Sequence, residues 1–172
     1  NREAVIRQNN ITKELIYDYT FNKKGIKDSA LASAITFDTR GNIIEELVYN
    51  DKKEITRKDV YQYHIQNLLS KKTSTMTGRF KLETIDEYDY DSTGNERTYY
   101  SYNSDTTSLT IEQKNYNEKN QVTELVIKIN DNVPYVSRHY HYDEKGELLK
   151  AESLDQQGSW MYSTLYEYNS TG

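Results

Sequence analysis

The residues best suited to chemistry are three histidines. His139 and His141 stand two apart, which puts both imidazoles on one face of a strand, where such a pair can hold zinc. His64 sits at a turn position, with no carboxylate or second histidine close to it in sequence. His139 and His141 are therefore weak metal candidates, and solvated polar-face histidines are the better reading. Paired carboxylates such as Glu45/Glu46 and Asp86/Glu87 would suit glycoside hydrolysis if they met. Adjacent strand residues point to opposite faces, so only carboxylates meeting across strands stay open. The Asp-x-x-Gly segments are superficially like calcium loops, but Asp89, Asp91 and Glu96 are too few acidic ligands for one run. The sequence carries no Cys nucleophile, GxSxG, phosphate-binding glycine loop or dinucleotide fingerprint. It points to a protein that is not an enzyme and needs no cofactor.

The elements that must position these residues are short strands. Hydrophobic residues make up only 35% of the 172, a polarity at which disorder is the usual suspicion, but 17 residues are Tyr. Tyrosine buries a large ring while keeping a polar tip, so the polarity is compatible with a folded sheet. The net charge is −5 with Lys and Arg scattered, which gives no nucleic-acid footprint. No apolar run reaches the roughly 18 residues of a membrane span. With no cysteine, disulfides and thiolate metal sites are excluded. No linker divides the chain, so residues 1–172 read as one domain, or as a fragment of a longer repeat sheet.

One unit recurs about every 13 residues: apolar-x-aromatic, then Asn or Asp, then x-x-Gly. Six of the seven glycines stand three after an Asn or Asp, in Asn22/Gly25, Asp38/Gly41, Asp91/Gly94, Asp143/Gly146, Asp155/Gly158 and Asn169/Gly172. Asp or Asn opening a type I turn, with Gly supplying positive φ in a G1 bulge, makes a three-residue hairpin loop. That loop sets antiparallel register. It pairs Phe37–Ile43, Tyr49–Ile55, Tyr63–Leu69, Met76–Leu82, Tyr116–Val122, Ile129–Tyr135, Tyr142–Leu148 and Leu154–Trp160. The rule gives no apolar match at Phe21–Lys27, Tyr90–Glu96 or Tyr102–Ser108. Most steps between the aromatic anchors are even, which predicts anchors on one face, together with Tyr19, Tyr61, Tyr88, Tyr100, Tyr140 and Tyr166. A bulge or displaced turn is expected near Ile129–Tyr135. "DSALASAI" (Asp28 to Ile35) reads as a wide loop or helical turn, and "NREAVIRQ" is helix-compatible. The fold class is all-β: a long antiparallel up-and-down meander of about a dozen strands in a curved or partly closed single sheet.

"YDYDSTG" (Tyr88 to Gly94) and "YHYDEKGEL" (Tyr140 to Leu148) resemble the YD repeat of the Rhs family, as do the looser "TFDTRGNI" and "YEYNSTG". The resemblance implies long antiparallel sheets, an extracellular, cell-surface or periplasmic protein, and a carbohydrate-binding role. This chain departs in closer repeat spacing and in Asn for Asp. On the resemblance and the tyrosine rows together, the expected function is a non-catalytic, secreted or surface-associated module binding a carbohydrate or protein partner. The first patch to consider is Trp160 with Tyr162 and Tyr166. A purely structural scaffold is the alternative, and a small-ligand carrier or enzyme using a barrel concavity is a more remote one. The Tyr face or a sheet edge also offers a route to self-association.

Overall fold

Each hairpin loop opens on a side chain that replaces the partners a bending backbone loses. Asp38 Oδ1 accepts the N–H groups of Arg40 and Asn42 at 2.8 and 2.9 Å. Asn50, Asp91, Asn117 and Asp155 repeat both bonds, to the residues two and four further on. Asp143 accepts from Glu147 in the same way. The fourth turn residue has positive φ, as at Gly41 (84°), Gly94 (90°), Gly146 (92°) and Gly158 (76°). Lys53 and Asn120 take the same role in the Asn50 and Asn117 loops. His64 opens a loop of the same backbone geometry, with positive φ at Asn67. At Gly146 the requirement is also steric, because a Cβ would stand 2.9 Å from Gln121 Nε2.

The computed structural model describes residues 2–78, 80–105, 107–130 and 134–169. A short helix, α1 (Arg2–Gln8), precedes twelve strands. These are β1 (Lys13–Asn22), β2 (Gly25–Phe37), β3 (Ile43–Tyr49), β4 (Ile55–Tyr63), β5 (Leu69–Met76) and β6 (Leu82–Tyr90), followed by β7 (Glu96–Asn103), β8 (Leu109–Tyr116), β9 (Val122–Ile129), β10 (Pro134–Tyr142), β11 (Leu148–Leu154) and β12 (Trp160–Leu165). The strands hydrogen-bond in chain order, so the sheet is an antiparallel meander with β1 and β12 at its two ends. Six expected pairs are present: Phe37–Ile43, Tyr49–Ile55, Tyr63–Leu69, Tyr116–Val122, Tyr142–Leu148 and Leu154–Trp160. Gly172, the last glycine of the series, lies outside the described residues.

Several expectations need correction. Ile129 does not face Tyr135. Val136 pairs with Ile127 and Pro134 with Lys128, leaving Tyr135 as a bulge in the expected stretch. The "DSALASAI" segment is strand, not loop. Its extra length is absorbed by bulges at Lys27 and Ala32, where β2 skips a residue against β1. Phe21 consequently faces Ile26, not Lys27, and Tyr102 faces Leu109 across a longer loop.

The largest correction concerns faces. Phe37 pairs with Ile43, but Thr36 pairs with Glu45, so Ile44 is skipped. The same skip falls at Thr56, Ser70, Thr123, Leu149 and Met161, one residue past the partner of each anchor. Each extra residue reverses the alternation, so an even step moves the anchor to the other face. Tyr49 therefore lies opposite Phe37 and Tyr63. The true period is a two-strand unit: Phe37, Tyr63, Tyr90, Tyr116, Tyr142 and Tyr168 follow at 26 or 27 residues.

By compactness the chain divides into Asn1–Ile85 and Asp86–Gly172, with the division inside β6. In the first unit α1 covers one face of the sheet, packing Ile6 on Ile35 and Phe37 with Ile11 and Ile43 alongside. Arg2 ties the helix down by pairing with Glu14 at 2.6 Å and lying 5.9 Å over the Phe37 ring. In the second unit the register puts Tyr116, Val122, Tyr140, Tyr142 and Tyr162 on one face. It puts Ile111, Glu124, His139, His141, Glu152 and Trp160 on the other.

Candidate functional site

The histidines face carboxylates, not one another's metal. His139 Nε2 lies 3.5 Å from Glu124, and His141 Nε2 lies 2.7 Å from Glu152. Lys150 shares that carboxylate at 2.6 Å and, with His141, holds the Glu152 carboxyl below its usual range. Among the described residues no three His, Asp or Glu side chains are grouped to hold a metal. The Asp-x-x-Gly loops spend their oxygens internally. Asp91 accepts from Thr93 Oγ1 at 2.7 Å and from the Thr93 and Asn95 amides at 2.9 Å. Hydrogen bonding from the Thr93 hydroxyl, then from the Asn95 backbone, lowers its pKa to about 2.

One carboxylate pair does meet across strands, and nothing in the sequence pattern marks it. Glu46 on β3 faces Asp59 on β4. Asp59 is 1% exposed, Arg57 Nε stands 3.3 Å away and Lys72 Nζ 3.4 Å, and the Lys72 ammonium lies 5.6 Å over the Tyr61 ring. The Tyr61 hydroxyl reaches both carboxylates at 3.5 Å. Burial, then the charges of Asp59 and Glu46, push its pKa up. Sealed beneath these side chains, Asp59 offers no approach to a glycosidic bond. The cluster is an ion-pair network that fixes the β3–β4–β5 face.

The tyrosines of the two-strand unit have a structural task. Past the last ladder pair, Tyr63 OH donates to the Ile43 carbonyl at 2.9 Å. Tyr116 does so to Glu96 at 2.7 Å, Tyr142 to Val122 at 2.8 Å, and Tyr168 to Leu148 at 3.0 Å. Each bond spans 20 residues and clasps one loop to the preceding one at the same end of its unit. Side-chain bonds 25 residues apart reinforce the stacking: Asn42 with Asn67 in the first unit, and Asn95 with Asn120 and Gln121 with the Gly146 carbonyl in the second. Sequence reasoning missed these clasps. The available signal was Tyr at a 26-residue step, each followed four residues later by Gly or Asn.

Two kinds of surface remain. A cleft of about 470 Å³ in the first unit lies between α1 and the sheet, bordered by Arg2, Ile6, Phe37, Asn42, Ile43, Tyr63 and Asn67. The groups that would recognise a ligand there already serve each other, through Arg2–Glu14, Asn42–Asn67 and Tyr63–Ile43. The other surface is β12. Trp160 is 62% exposed, Leu165 72%, Tyr162 50% and Tyr166 40%. The Met161 bulge splits the expected patch. Trp160 lies on the face of Leu154 and Leu165, while Tyr162 continues the face of Ser153, which Tyr166 shares by alternation. Ser153, then the Arg138 guanidinium, hold the Tyr162 hydroxyl below its ordinary pKa.

No family model matches this chain. No curated protein matches it. Among solved structures, the chain is similar to part of the Photorhabdus luminescens Tc holotoxin pore, at 12% identity and a TM-score of 0.31 over 89% of this chain. It spans 11% of that toxin chain. It is also similar to a protein of unknown function from Bacteroides fragilis, at 13% identity and a TM-score of 0.23, over 92% of this chain and 96% of the other. At these scores neither likeness bears on what the chain does.

Proposed function

We propose that the chain is a non-catalytic β-repeat module of a secreted or surface-associated protein, and that it binds a carbohydrate through exposed aromatic rings, Trp160 first. The observation that carries this reading is the exposure of Trp160 on a strand with no charged residue, beside an exposed Leu165. An indole face open to solvent is a platform for the apolar face of a sugar ring, and Trp is favoured where binding energy concentrates. The clasp tyrosines contribute the rigid support and not the contact. Trp160 is the one tryptophan, so its fluorescence reports this site alone. Titrating the protein with a panel of glycans should give saturable quenching or a spectral shift with at least one member. Trp160→Ala should lower affinity for that glycan on an array at least tenfold, while the far-UV spectrum stays unchanged. No response to any glycan would set the carbohydrate reading aside. The chain would then be a structural scaffold, a role the clasped loops also suit.

A further inference from the structure

The free edge of β12 has properties that the proposed sugar platform does not use. Tyr166 N–H donates to the Leu149 carbonyl at 3.0 Å, in the register that pairs Leu165 with Lys150 and Thr164 with Ala151. By the alternation of an antiparallel ladder, Tyr162, Thr164 and Tyr166 turn their backbone groups toward β11, while Ser163 and Leu165 turn theirs outward. Edge strands in monomers are usually blunted by charge, proline or a bulge that twists the edge away. Residues 160–165 carry no charge and no proline, and the one bulge, at Met161, precedes the outward-facing pair. By contrast β1, at the other end of the strand order, carries Lys13, Glu14 and Asp18.

We propose that β12 pairs antiparallel with β12 of a second copy of this chain, about a dyad at Thr164. That register satisfies both requirements of a self-pairing strand. Ser163 of each copy faces Leu165 of the other, and their outward N–H and C=O groups exchange four hydrogen bonds. Tyr162 of each copy faces Tyr166 of the other in a non-hydrogen-bonded pair, where side chains approach most closely. With no charge on the strand, no like-charge conflict arises at the dyad. A six-residue strand pair is a small interface, so the dimer dissociates on dilution. Trp160 lies on the opposite face from the tyrosine pair, so this contact is independent of the glycan reading.

The chain has no cysteine, so one introduced thiol reports the dyad without ambiguity. Opposed residues of a non-hydrogen-bonded pair lie within disulfide range. Under mild oxidation Thr164→Cys should give a disulfide-linked dimer in high yield, whereas Ser163→Cys, which faces Leu165, should not. In sedimentation velocity the unmodified chain should shift from 20.3 kDa toward twice that mass with rising concentration. Ser163→Pro removes only an outward N–H, so it should stay monomeric with an unchanged melting profile. An unmodified chain that remains monomeric at about 100 μM overturns the proposal, whatever else then occupies the edge. So does a Ser163→Pro variant that still dimerises, or equal cross-linking at positions 163 and 164.

Discussion

Phe37→Ala is expected to cost about 3–5 kcal/mol of unfolding free energy, the range for emptying a buried aromatic site. Phe37 is 4% exposed, and the small buried core of the first unit is built from it with Ile6 and Ile35. Its ring is also the surface on which Arg2 lies, so removal loosens α1 from the sheet as well as opening a cavity. The helix is seven residues long, too short to persist without that packing. Phe21, also an anchor of the sequence repeat, is 70% exposed on β1, and Phe21→Ala should change stability by under about 0.5 kcal/mol. Urea unfolding of the two variants checks the contrast. Similar losses at both positions would mean that the repeat anchors share one buried face after all.

The second large effect belongs to the Asp59 network. Arg57→Met with Lys72→Met leaves a carboxylate buried with no cation beside it, a change expected to cost about 3–5 kcal/mol. Glu46 keeps its own access to water, so the penalty falls on Asp59. Adding Asp59→Leu should recover most of the loss, because an apolar cluster of similar volume is as stable as a buried ion network, or more so. The three-variant series by chemical denaturation is decisive. A triple variant no better than the double would show that Tyr61 and Glu46 depend on the Asp59 carboxylate itself, and that the site has a use for a buried charge beyond holding strands together.

What could be read from the sequence was chemistry confined to a few neighbouring residues. Asp or Asn with Gly three further on defines a loop whose hydrogen bonds close within five residues, so those turns and six anchor pairs follow directly. The bulges were hidden because no residue type marks them. Ile44, Thr56, Ser70, Thr123, Leu149 and Met161 share nothing but position. They answer to the twist of a paired strand next to a tight loop, a property of two strands and not of one. Missing them reversed the faces of alternate anchors and wrongly joined Trp160 to Tyr162 and Tyr166. The clasps were hidden for a related reason. A hydroxyl that reaches a carbonyl 20 residues away is visible only once the two-strand period is known. Asp59 sits in "KDVYQY" as an ordinary alternating polar residue, and only the neighbours on β3 and β5 reveal its burial.

The account rests on a division of labour among tyrosines: those of the two-strand unit are spent on clasping loops, and those of β12 are free. Burial pushes up the Tyr116 and Tyr142 hydroxyls, whereas Ser153 and Arg138 draw Tyr162 down. A tyrosine whose pKa is raised on folding stabilises the fold in full below about pH 10, and that contribution is lost as pH climbs through the folded value. Site-resolved titration of ¹³C-labelled tyrosine rings by NMR measures each hydroxyl separately. Tyr116 and Tyr142 should remain protonated past pH 10, with the fold weakening only as they ionise, and Tyr162 should ionise before them. Ionisation of Tyr116, Tyr142 and Tyr162 together near pH 10 would show that the clasps are not formed, and would contradict the account.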